Sequence, residues 1–64
     1  MSTSTFIKKT AHLALVHEFM GRLELAKQVE DSIPTSRKSE FYQEIVRQYD
    51  RVYMEIFDAK NHFK

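Results

Sequence analysis

The sequence predicts an all-α fold: a small three-helix domain, with two short helices in an antiparallel hairpin and a longer amphipathic C-terminal helix. Two observations predict it. Between Tyr42 and Ile56, apolar residues recur at alternating spacings of four and three, the period of a helix with one apolar stripe. The chain's one Gly and one Pro fall between apolar stretches, where these residue types end helices.

The first helix is expected over residues 5–20. Ser2, Thr3, Ser4 and Thr5 are all candidate N-caps, because a side-chain oxygen there accepts from an otherwise unpaired amide of the first turn. Phe6, Ile7, Ala11, Leu13, Ala14, Leu15, Val16, Phe19 and Met20 spread around more than one face, which suits a central helix touched on two sides. Gly21 takes a left-handed conformation without a Cβ penalty, so a tight reversal is expected there rather than a continuous helix. The second helix, residues 22–31, places Leu23, Ala26, Val29 and Ile33 on one side and Glu24, Lys27, Gln28 and Glu30 on the other.

Pro34 lacks an amide donor and disfavours helical geometry at Ile33, which separates the second helix from the third. Thr35 or Ser36 is expected to cap the third helix, residues 36–57, and residues 58–64 lose the pattern and are expected to fray. Tyr42, Val46, Tyr49, Tyr53 and Ile56 form the stripe a helix-to-helix seam requires, and Phe41, Ile45, Val52 and Ile56 lie alongside. Together these eight residues are the expected partner or dimer interface, with intrachain core as the other reading of the same face. Glu44, Gln48, Arg51 and Glu55 read as the solvated side.

Residues 1–64 make one domain, and a domain this short buries roughly 60% of the surface its unfolded chain exposes. Small cores usually gain support from a disulfide, a metal or a second chain. The absence of Cys excludes a disulfide and thiolate metal ligands, so a homodimer or a partner subunit is expected. Lys8 and Lys9 precede the apolar stretch from Ala11 to Val16, but His12 interrupts it and no small-residue cleavage pattern follows, which argues against an export signal. With no apolar run long enough to span a membrane, a soluble cytoplasmic protein is expected.

Enzyme chemistry finds no footing in these residues. His17-Glu18 opens like the HExxH zinc motif, but position 21 is Gly, so the second imidazole is missing. His12 and His17 lie five apart and point in different directions on a helix; no metal or cofactor is expected. No Ser sits in a nucleophile elbow. A formal net charge of +1 lacks the basic excess of an autonomous DNA binder. A helix-turn-helix would also present Glu24, Glu30 and Asp31 to phosphates, which argues against direct base reading. Arg37, Lys38, Arg47 and Arg51 form a weaker basic strip suited to an auxiliary contact or to plain solvation.

The order Ala11, Ala14, Glu18, Gly21-Arg22, Ala26, then Arg37, Phe41-Tyr42 and Arg47 resembles the AraC negative regulator family of small enteric virulence regulators, with a PerC-like layout. The similarity spans residues 11–52. The chain departs from that pattern in having no Trp and no Cys, and a tetratricopeptide-like helix pair places a Gly and an Ala in the same way. The resemblance implies a transcription modulator that binds and inhibits an AraC/XylS-type activator, with nucleoid-associated proteins as further partners. Two other readings stand beside it: a helical chaperone or antitoxin-like subunit, and a direct DNA-binding regulator.

Overall fold

The Ser4 backbone is extended (φ −64°, ψ 150°), and its Oγ accepts from the Ile7 amide at 3.3 Å, which starts helix α1, Thr5–Phe19. Ser4 rather than Thr5 is the cap, and the candidates Ser2 and Thr3 lie outside the described residues. The structure, a computed structural model, describes residues 4–62. Gly21, at φ +81°, ends α1 as expected. Its amide donates to the Glu18 carbonyl at 3.0 Å and the Arg22 amide to the His17 carbonyl at 2.8 Å, the paired pattern of a Schellman termination.

Helix α2, Leu23–Asp31, then folds back on α1. Its end is held by the Ser32 hydroxyl, which donates to the Val29 carbonyl at 2.6 Å, and by the Ile33 amide, which donates to the Glu30 carbonyl at 3.0 Å. Pro34 separates α2 from the next element as predicted, and also stands at the start of that element. Neither Thr35 nor Ser36 caps it: Thr35–Arg37 is a turn of 3-10 helix that runs into helix α3, Lys38–His62. The helix therefore continues past Phe57, where the loss of apolar spacing suggested fraying. Backbone hydrogen bonding continues where the side-chain pattern stops. Of the predicted frayed segment, residues 63 and 64 lie outside the described residues.

Both α2 and α3 pack on α1, which makes α1 the central helix. Contacts between α1 and α3 advance together along both chains. Arg37 reaches Ser4, Gln48 reaches Lys8 and Glu55 reaches His12, so α1 and α3 run in the same direction, with α2 packed on α1. The core holds Ile7, Ala11, Ala14, Ile33 and Phe41, with Val29 and Ile45 half-buried against it; Leu15 and Val52 are also buried. The small Ala11 and Ala14 let the neighbouring helices approach closely. No α2 residue is fully buried, and Leu23, expected on its inner side, is 64% exposed. The molecule is flat, with principal extents of 43 × 27 × 15 Å.

One assignment on α3 is reversed. Glu44 and Gln48, read as solvated, are 2% and 5% exposed. The helix turns the row Phe41, Glu44, Gln48 and Val52 toward the rest of the chain, because the Gln48 amide finds partners there. Its Nε2 donates to the Lys8 carbonyl at 3.2 Å and to Glu44 Oε1 at 2.9 Å. Arg51 and Glu55 do stay exposed, and pair at 3.8 Å.

Candidate partner-binding surface

The eight interface candidates separate into three groups. Phe41 and Val52 are buried within the chain and belong to its core, so they are not available to a partner. Ile45 and Ile56 are half-buried. Tyr42, Val46, Tyr49 and Tyr53 are exposed, and Phe57, which the spacing argument passed over in favour of Ile56, extends their row by one turn. Val46 stands out furthest, at 77% exposure.

The lower part of this row is ordered by aromatic contacts. Phe19, at the end of α1, meets Tyr49 edge-to-face with ring centroids 5.0 Å apart, and Tyr53 at 5.6 Å. Tyr53 in turn stacks on Phe57 at 6.2 Å. Such pairs add about 0.5–1.5 kcal/mol beyond the area they bury, enough to hold these rings in fixed positions while one side of each stays open. Phe19, Tyr53, Ile56 and Phe57 line a small cleft of about 100 Å³. The part played by Phe19 was invisible to a helix-by-helix reading, since it depends on where the end of α1 meets α3.

At the upper end, Tyr42 donates from its hydroxyl to Glu30 Oε2 at 2.7 Å. This bond raises the phenol pKa above its ordinary value of 10.0, with desolvation and the charges of Glu30 and Asp31 adding to the effect. Tyr42 thereby ties α3 to α2 and borders a hollow of about 230 Å³ lined also by Leu23, Ala26 and Ile45, with the buried Ala14 and Phe41 at its base and Glu18, Lys27 and Glu30 around it. Apolar surface thus continues from α3 toward α2. On α1, Phe6, Leu13 and Met20, seven residues apart, are also exposed.

The predicted basic strip does not act as a unit. Arg37 Nη2 donates to Ser4 Oγ at 3.0 Å and pairs with Glu40 at 3.4 Å, and Lys38 Nζ donates to the Glu30 carbonyl at 3.4 Å. Arg47 and Arg51 instead face Lys8 and Lys9 across the α1–α3 cleft. Among the described residues, no three or more His, Asp or Glu side chains gather in a way that could hold a metal ion, and no helix is long and apolar enough to cross a membrane. In comparisons with protein-family models, curated proteins and solved structures, nothing matches the chain.

Proposed function

We propose that this protein is a partner-binding module that works by laying the exposed row of α3 against a helix of another protein. One observation carries the reading: Tyr42, Val46, Tyr49, Tyr53 and Phe57, all large and apolar, are exposed along four turns of one helix. Isolated exposed apolar residues are ordinary, but a contiguous stripe at helical spacing is what helix recognition uses. Tyr suits such a surface, since it buries a large ring while its hydroxyl keeps a polar contact.

The family resemblance supplies the candidate partner, an AraC/XylS-type transcription activator, and the mode, inhibition by covering a surface the activator needs. Nucleoid-associated proteins are further candidates on the same ground. The same stripe also suits a homodimer, in which a second copy occupies it until the partner competes. Pull-down of an AraC/XylS-type activator by the purified protein tests the reading. Tyr49→Ala and Tyr53→Ala should each weaken capture more than Glu55→Gln, and the opposite ranking would refute it.

A further inference from the structure

The cleft between α1 and α3 has a different chemistry from the α3 row. Lys8, Lys9 and His12 of α1 and Arg47 and Arg51 of α3 line a space of about 390 Å³. Glu44 and Gln48 also line it, and both are buried. With His12 neutral, the lining carries four cations and one carboxylate, a net charge of +3, in a chain whose formal net charge is +1. The rest of the chain is therefore net −2, so positive charge is concentrated in this cleft. Arg51 is offset by Glu55 at 3.8 Å; among the described residues, Lys8 and Lys9 have no carboxylate within ion-pair distance.

Glu44 gives the cleft a second requirement. Its Oε1 accepts from Gln48, but its Oε2, also buried, makes no hydrogen bond and has only an ion-pair contact with Arg47 Nη1 at 3.5 Å. A desolvated acceptor of this kind calls for a donor. A simple anion would satisfy the rim and be repelled by Glu44. A ligand that meets both demands joins an anionic group to a neighbouring N–H or O–H. The space falls in the range of small-molecule sites, about 300–1,000 Å³.

We propose that the α1–α3 cleft binds a nucleotide, its phosphate held by Lys8, Lys9, Arg51 and Arg47, which leaves Glu44 Oε2 for the phosphate so that a hydroxyl or amine of the sugar or base donates to that oxygen. Arg pairs with phosphate through two parallel N–H groups, and Arg47 and Arg51, one helical turn apart, both line the cleft. The chemistry is shared by a free nucleotide and by a nucleotide within a single strand. This site is separate from the α3 row, so it stands or falls independently of the partner-binding reading.

The test is a titration of the isotope-labelled full chain by amide NMR with four probes: inorganic phosphate, nucleoside monophosphates, a short single-stranded RNA and an acidic peptide. The expected result is saturable shifts around residues 8–12 and 44–51 with a nucleoside monophosphate or the RNA, at lower concentration than with inorganic phosphate. Tighter binding of the monophosphate than of the RNA identifies a free nucleotide as the ligand; RNA binding as tight or tighter, and salt-sensitive, identifies a nucleotide within a strand. The Arg47→Gln/Arg51→Gln double variant changes two exposed side chains and should reduce affinity by ~10-fold or more, as expected for the loss of charged hydrogen bonds. Glu44→Gln should narrow the preference for nucleotide over inorganic phosphate. Inorganic phosphate binding as well as the nucleotide, an acidic peptide binding more tightly than either, or the absence of saturable shifts would each overturn the proposal.

Discussion

Gln48 donates from Nε2 to the backbone carbonyl of Lys8 at 3.2 Å, fastening α3 to α1 across 40 residues of sequence. The same amide nitrogen serves Glu44 Oε1, so a buried polar pair sits in the interface between the two helices, beside the buried Ile7, Ala11, Phe41 and Val52. The bond to Lys8 fixes which turn of α3 lies against which turn of α1, because sliding either helix would take the buried Gln48 amide away from that carbonyl.

The first prediction follows from that pair. Gln48→Leu removes the donor from Glu44 while leaving the carboxylate buried, and should destabilise the fold by about 1–3 kcal/mol. The Glu44→Leu/Gln48→Leu double variant removes both partners and should recover part or all of that loss. Urea unfolding followed by circular dichroism measures both. A double variant less stable than the sum of the two single variants would mean the pair is not the unit described here.

Gly21 offers a test of the reversal between α1 and α2. No atom lies within 4 Å of where a Cβ would stand, so substitution meets only the backbone cost of φ +81°. Gly21→Ala should cost about 1–2 kcal/mol, and Gly21→Asn less, since Asn tolerates the left-handed region. Denaturation midpoints rank the three proteins.

Tyr42 gives the fold a dependence on alkaline pH. Its pKa is raised chiefly by the hydrogen bond to Glu30, so folding favours the neutral phenol. The stabilisation is complete below the unfolded pKa near 10 and is lost as pH rises through the higher folded value. Phenolate absorbance during a pH titration should show Tyr42 ionising above its ordinary value of 10.0. Glu30→Gln should bring it forward, and an unchanged titration would show that the bond does not control this phenol.

The fold was legible in the sequence because its punctuation is local. Gly21 and Pro34 act on their own backbones, and the apolar spacing of the third helix is a property of one segment. What could not be read was which of two adjoining faces of α3 turns inward. Polarity alone put Glu44 and Gln48 outside, but their burial depends on an acceptor at Lys8, 40 residues from Gln48. The candidate surface was half legible for the same reason. Tyr42, Val46, Tyr49 and Tyr53 share a row by spacing, whereas the separation of Phe41 and Val52 from that row follows from where α1 lies. The meeting of Lys8 and Lys9 with Arg47 and Arg51 is tertiary as well, and the near-neutral net charge concealed it.

The central claim, that the exposed row of α3 is a binding face, is tested most directly at Val46, whose 77% exposure leaves it little part in the chain's own packing. The measurement is the calorimetric affinity of an AraC/XylS-type activator for the wild-type protein and for Val46→Glu, with helicity and urea midpoint as the control for folding. The account predicts an unchanged fold and an affinity lower by ~10-fold or more, since a buried charge at the centre of an apolar contact lacks a partner. Binding by Val46→Glu as tight as by the wild-type protein would contradict it.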